Sequence, residues 1–219
     1  MKTTETVMDG MRAAIFDLDG VIVDTAKYHY QAWRRLANHL GFDFSEADNE
    51  RLKGVSRVQS LEIILELGKI QLEEGQKAVL AEQKNRWYVE LISAMDEREL
   101  LPGAVGFLQH LRQRNIRVAL GSASKNAALI LDRMGIAGLF DSVIDGTRTS
   151  RSKPDPEVFL LGAEALATDP ARCVVFEDSA AGVEAAKRAG MRAVGIGTAA
   201  GLPRADFIVS GLHELAPAD

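Results

Sequence analysis

Cysteine is almost missing from this chain: Cys173 is the only one. A single thiol excludes an internal disulfide framework. It lies in the apolar run Cys173-Val174-Val175-Phe176, which predicts a buried, inert side chain rather than a nucleophile. No apolar run approaches the roughly 20 residues of a membrane-spanning helix, so no membrane partner is expected. Met1 to Gly10 is polar and lacks the apolar block of a signal peptide, and a cytoplasmic location is the expectation. Positive charge is not in surplus: 26 Lys and Arg against 31 Asp and Glu leave a net −5, which argues against a general nucleic-acid binder. A small anionic substrate stays compatible, because a local cluster of Lys and Arg can outweigh the global sign. Internal repeats and low-complexity stretches are also lacking. At 219 residues the chain suits one domain, or a core carrying a smaller insert.

The most informative stretch that is present runs Ala13-Ala14-Ile15-Phe16-Asp17-Leu18-Asp19-Gly20. Ala13 to Phe16 read as a short buried strand ending at polar residues and a glycine. Two carboxylates two residues apart on a strand end point to one side. Like charges that close repel, and a nearby divalent cation, or a division of roles between nucleophile and acid/base, would resolve the conflict. Alternatively Asp17 and Asp19 are turn formers before Gly20.

Residues 26–97 look wholly helical. Ala26, Tyr30, Trp33, Ala37 and Leu40 follow helical spacing, with Gly41 as a C-terminal stop. Ser56 with Gln59 makes a capping-box pattern ahead of Leu61, Ile64 and Leu65, and Gly68 ends that helix. A longer helix is predicted over about 76–94, with Leu80, Trp87 and Leu91 on its apolar stripe. Beyond about residue 101 strands alternate with helices. The strand candidates are 116–121, 142–144, 173–177, 193–196 and 207–209. Such alternation implies an α/β, doubly wound, Rossmann-like parallel sheet. Residues 1–24 and 102–219 would form this core, and 25–101 an inserted α-helical domain.

In sheets of this kind ligands bind at the carboxyl ends of the strands. Four such ends carry chemistry here. The first holds Asp17 and Asp19. The second runs into Ser122-Ala123-Ser124-Lys125, where hydroxyls and backbone N–H groups ahead of a helix suit a phosphate; Ser122 or Ser124 could equally be an N-cap. The third supplies Lys153-Pro154, a compact cation able to hold a phosphoryl oxygen, or a surface-loop lysine. The Lys153-Pro154 bond is a candidate cis peptide. The fourth supplies Glu177 and Asp178, hard oxygen donors suited to Mg²⁺, although Asp178 or Ser179 could simply cap the next helix. A parallel sheet brings all four to one rim.

In that order, Asp17-Leu18-Asp19-Gly20, Ser122, Lys153-Pro154 and Glu177-Asp178 resemble the haloacid dehalogenase superfamily of phosphotransferases, over the whole chain beyond the first ten residues. The resemblance implies Asp17 as the nucleophile on phosphorus and Asp19 as the acid/base. It implies Ser122 and Lys153 as holders of the transferring phosphoryl group. Mg²⁺ would sit on Asp17, the backbone carbonyl of Asp19 and Asp178, with Glu177 alongside.

The helical insert resembles the cap of the β-phosphoglucomutase subfamily. The segments that carry this are Asp24-Thr25-Ala26 with Tyr28-His29 and Trp33, Leu52-Lys53-Gly54-Val55-Ser56-Arg57, Lys84-Asn85, and Ser122-Ala123-Ser124-Lys125-Asn126. They imply a hexose phosphate substrate. Arg57 would grip its distal phosphate, Lys84 would lie beside the hexose, and His29 would position Asp19 or the sugar hydroxyls. Gly54, Val55, Ser56, Ser124, Lys125, Asn126 and Trp33 would complete the substrate site. Thr25 and the linker near 96–102 would be hinges, and a monomer is the expected assembly. The residues alone place Lys84 on the inward stripe of its helix, where a snorkelling lysine is the plain alternative. Arg57 near a helix N-terminus is poorly placed on dipole grounds unless an anion arrives there. A sugar-phosphate or phosphoglycolate-type phosphatase would need the same core but neither Arg57 nor Lys84. A non-catalytic sugar-phosphate sensor would have lost Asp17, Asp19 or a metal ligand, and all are present.

Overall fold

The computed structural model describes residues 2–217; residues 1, 218 and 219, at the outer ends of the expected core segments, lie outside them. In chain order the elements are α1 (Lys2–Met8), β1 (Ala13–Phe16), α2 (Ala26–His39), α3 (Glu46–Asn49), α4 (Arg57–Leu67), α5 (Glu74–Ser93), α6 (Ala104–Gln113), β2 (Arg117–Gly121), α7 (Ala127–Arg133), β3 (Ser142–Ile144), α8 (Glu157–Ala165), β4 (Cys173–Glu177), α9 (Ala180–Arg188), β5 (Arg192–Ile196) and β6 (Phe207–Val209). The six strands form one sheet in the order β3-β2-β1-β4-β5-β6, parallel throughout.

A parallel sheet is covered on both faces, which is why its strands read as continuous apolar runs. Along β1 the side chains alternate between two cores. Ala14 and Phe16 pack with Val118, Leu120, Val174 and Phe176. Ala13 and Ile15 pack with Ala119, Val175 and Cys173 on the other face. Burial pushes the Cys173 thiol up to about 11, in keeping with an inert side chain.

Between β1 and β2 the chain makes α2 to α5, which enclose a smaller core of Trp33, Leu36, Ala37, Phe44, Leu61, Ile64 and Leu65. Gly41 ends α2 in the left-handed region, φ +92°, as the spacing predicts. Ser56 caps α4 by accepting from the Gln59 N–H at 3.3 Å, one half of the capping box. α5 differs from its expected face. Leu80, Trp87 and Leu91 are only partly buried, whereas Lys84, Tyr88 and Ile92, four residues apart, are the buried ones. The two connectors lie side by side. Val23 and Leu100 form an antiparallel bridge, Asp24 N–H donates to Glu99 O and Leu101 N–H to Ile22 O, both at 2.9 Å.

The N-terminal helix α1 has no counterpart in the sequence reading. Its Val7 is fully buried, and Met8 and Met11 beside it join the larger core next to Leu212 and Leu215. Arg192 donates to Asp9 O at 2.6 Å. Val7→Asp should therefore bury an unpaired carboxylate and destabilise the fold by about 3 kcal/mol, lowering the melting temperature by roughly 6–12 °C. Thermal unfolding checks this, and an unchanged melting temperature would show that α1 does not contribute to the core.

Candidate active site

The floor of the site follows from strand register. Phe16 on β1 pairs with Phe176 on β4, and their rings stack at 4.5 Å, 9° from parallel. The ladder continues one step further, with Asp17 N–H donating to Phe176 O at 2.9 Å, so Asp17 and Glu177 emerge side by side. Lys153, from the loop between β3 and α8, reaches both. Its Nζ is 2.5 Å from Asp17 Oδ1 and 2.6 Å from Glu177 Oε1, and all three side chains are buried. The Lys153-Pro154 bond is cis.

Burial raises the Asp17 carboxyl well above its ordinary range; Lys153 opposes this, and Glu177, Asp19 and Asp178 reinforce it. Burial also works against the charge on Lys153, but Asp17 and Glu177 outweigh it and hold its pKa above the usual lysine value. Asp19 is raised by burial and lowered by a hydrogen bond from the Thr25 hydroxyl. Asp178 is raised to about 7, by burial first and Glu177 second. The rim therefore holds more carboxylate than its one buried lysine balances.

The cap supplies the opposite wall. A cavity of about 790 Å³ lies between cap and core, lined by Asp17, Asp19 and Asp178 below and by His29, Trp33, Arg57 and Lys84 above. Lys84 is buried, sits over the Trp33 and Tyr88 rings at 4.4 and 4.6 Å, and lies 3.0 Å from His29 Nδ1. Burial first, then Arg57, lowers the Lys84 pKa well below its ordinary value. With Lys84 donating to Nδ1, the proton of a neutral His29 resides on Nε2, 3.9 Å from Asp19 Oδ1. Burial, then Lys84 and Arg57, push the His29 pKa well below its ordinary value, which keeps the ring neutral. Its ring stacks on Tyr88 at 4.1 Å.

Cap and core also touch directly. Asn126 donates to Asn85 Oδ1 at 3.0 Å, and Lys53 lies 3.8 Å from Asp178. Gly54 has φ +73°, and a Cβ there would fall 2.5 Å from Ser179 Oγ, so this approach requires glycine.

Most of the residues singled out in the sequence face this cavity: Asp17, Asp19, His29, Trp33, Gly54, Val55, Ser56, Arg57, Lys84, Ser124, Lys125, Asn126, Lys153 and Asp178. Thr25 is buried beneath it at the start of α2. Two are placed differently. Ser122 is fully buried behind the wall, its Oγ accepting from the Ser124 N–H at 3.1 Å. Glu177 has both oxygens engaged, Oε1 with Lys153 and Oε2 with the Ser179 N–H and hydroxyl. Sequence reasoning missed Tyr88, Glu82 and Lys53 as lining residues. Tyr88 could have been found, since it lies one helical turn beyond Lys84 on the same face.

The donor set suits a hard divalent cation. Asp17 and Asp178 are carboxylates with raised proton affinity, and Gly20, at φ +81°, leaves room for the Asp178 carboxylate where a Cβ would come within 2.4 Å of Oδ2. Among the described residues no three His, Cys, Asp or Glu side chains already form a shell. Among the described residues no helix is long and apolar enough to cross a membrane.

This arrangement has known counterparts. A β-phosphoglucomutase from Bacillus subtilis is 44% identical over 207 residues, spanning 94% of this chain and 92% of that one. A phosphorylated carbohydrates phosphatase from Thermotoga maritima is 36% identical, spanning 84% of each. The crystal structure of a β-phosphoglucomutase from Clostridium difficile superposes with a TM-score of 0.91 at 42% identity, over 94% of this chain and 93% of that one. The family model for haloacid dehalogenase-like hydrolases matches residues 11–190, starting just past α1 and taking in β1 with Asp17, the helical cap, Lys153 and the Glu177-Asp178 pair. With a match of that extent joined to this carboxylate rim, the chain belongs to the haloacid dehalogenase-like hydrolase family.

Proposed function

We propose that the protein is a β-phosphoglucomutase, interconverting β-D-glucose 1-phosphate and glucose 6-phosphate. The observation that carries this reading is the cap wall. Arg57, Lys84 and His29 stand over Asp17, Asp19 and Lys153 across one cavity, so a sugar bearing two phosphates meets Lys153 at one end and Arg57 at the other. The 44% and 42% identical relatives support it.

In this reading phosphorylated Asp17 transfers its phosphoryl group to the 6-hydroxyl of β-glucose 1-phosphate. Asp19 takes the hydroxyl proton as the new O–P bond forms and the bond to Asp17 breaks. The β-glucose 1,6-bisphosphate turns over between cap and core. Asp17 then attacks the other phosphorus, Asp19 returns the proton to O1, and glucose 6-phosphate leaves. Lys153 holds equatorial oxygens of the transferring group, and Glu177 orients Lys153. Ser122 supports the phosphate loop through Ser124. Thr25 holds Asp19, and the Nε2–H of His29 faces it. Arg57 takes the distal phosphate, with Ser124, Lys125 and Asn126 around it. Enzymes of this family work with a divalent metal. Here Mg²⁺ on Asp17, Asp178 and the Asp19 carbonyl, with Glu177 alongside, would supply positive charge to the phosphoryl oxygens. Residues 25–101 act as the cap, hinged at Thr25 and 96–102. Closure excludes water from phospho-Asp17, and the protein works as a monomer.

The test is direct. With Mg²⁺, β-glucose 1-phosphate and a trace of the bisphosphate, glucose 6-phosphate is expected to accumulate without matching release of free phosphate. Rapid phosphate release without glucose 6-phosphate would replace this reading by the phosphatase one, which the 36% identical relative favours.

A further inference from the structure

Arg57 opens α4 with its guanidinium largely buried, and its Nη1 lies 3.5 Å from Glu82 Oε2 on α5. Glu82 is 60% exposed, yet it lines the same cavity as Arg57 and Lys84. It is the only ion-pair partner of Arg57 among the described residues, and Arg57 is the only one of Glu82. Burial first, and Arg57 second, lowers the Lys84 pKa well below its ordinary value, so of the two Arg57 is the standing cation, and the Glu82 carboxylate lies on the edge of the cap cavity. Burial lowers the Arg57 pKa, and Glu82 opposes this only in part.

Nη1 and Oε2 are at ion-pair distance without a hydrogen bond, so Glu82 attracts the guanidinium while leaving its N–H groups available to a phosphate. An exposed ion pair is weak, so a dianion can displace it. We propose that Glu82 is a specificity-determining residue. It holds Arg57 over the cavity when no distal phosphate is present and is displaced when one arrives. It thereby makes a full phosphate charge a requirement for engaging the cap, and its repulsion of that charge hastens product release. This rests on the reading that Arg57 receives the distal phosphate.

The test is calorimetric binding of glucose 6-phosphate to the full-length protein in five forms: unsubstituted, E82Q, E82D, R57A and the E82Q/R57A double variant. E82Q should tighten binding by roughly three- to tenfold, the size expected of removing one charge a few ångströms from an anion at a part-exposed site. The tightening should vanish in the R57A background, and E82D should return affinity towards the unsubstituted value. A structural role for Glu82 would instead weaken binding in E82Q and lower its melting temperature. Unchanged or weaker affinity in E82Q, or equal tightening without Arg57, would overturn the inference while leaving the sugar-phosphate reading standing. Failure of the unsubstituted protein to bind glucose 6-phosphate would overturn both.

Discussion

Asp17→Asn is expected to reduce mutase turnover by at least ~10⁴-fold, because the amide cannot attack phosphorus and no other carboxylate shares its position. Lys153 holds Asp17 Oδ1 at 2.5 Å, and Glu177 occupies the other side of that lysine. Asp19 is not expected to substitute, since its carboxylate accepts from the Thr25 hydroxyl, with His29 Nε2 3.9 Å away. The fold should survive. Asn matches Asp in shape and removes a buried charge whose ionised form burial already disfavours. The variant should also fail to gain a phosphoryl group from acetyl phosphate, as read by mass spectrometry. Retained turnover, or phosphorylation of the variant, would refute Asp17 as the nucleophile.

Lys153→Met should act on both activity and stability. Activity should fall by about 10³-fold, as for loss of a fixed group that stabilises transition-state charge. Stability should fall by about 3–5 kcal/mol at neutral pH, because Asp17 and Glu177 lose the cation between them in a buried place. The pH dependence has a definite sign. Lys153 lowers the Asp17 pKa, so its loss raises further a carboxyl that burial already raises. A carboxyl with a raised folded-state pKa is tolerated when protonated and becomes destabilising as pH rises through that pKa. The destabilisation of Lys153→Met should thus be larger at about pH 8 than at about pH 5. Denaturant melts at the two pH values measure it, and an equal loss at both would show that the stranded carboxylates are not the cause.

Much of this was legible in the sequence, for reasons tied to particular segments. Ala13–Phe16, Ser142–Ile144, Cys173–Glu177 and Phe207–Val209 appear as strands at the expected residues, because short apolar runs bounded by polar and glycine residues have few other ways to be buried. The four strand ends met because parallel order leaves them one rim. The helix α1 was not legible. Its apolar residues are too few to set a period, and their burial comes from joining the core of the sheet's helical face. The face of α5 was misjudged for the opposite reason. Hydropathy favoured Leu80, Trp87 and Leu91; Lys84 is turned inward as its place on that stripe predicts, but the buried face runs on through Tyr88 and Ile92 instead. A hydrophobic stripe records burial in fat, not burial against a polar substrate. Glu82 was invisible because its role depends on a partner on another helix.

The central place of β1 also bears on how the protein comes into being. Asp17 is made early, yet β1 is flanked by β2 and β4, both far along the chain. Its lysine partner lies 136 residues further along the chain. Closing loops of that length precedes any contact that rewards it, so these pairings form slowly. A chain still emerging from the ribosome holds Asp17 but no phosphoryl site, until Lys153 and the β4 end have been synthesised and docked. Catalytic competence is therefore a late property of the folding chain, and a half-made copy has no means of handling sugar phosphates.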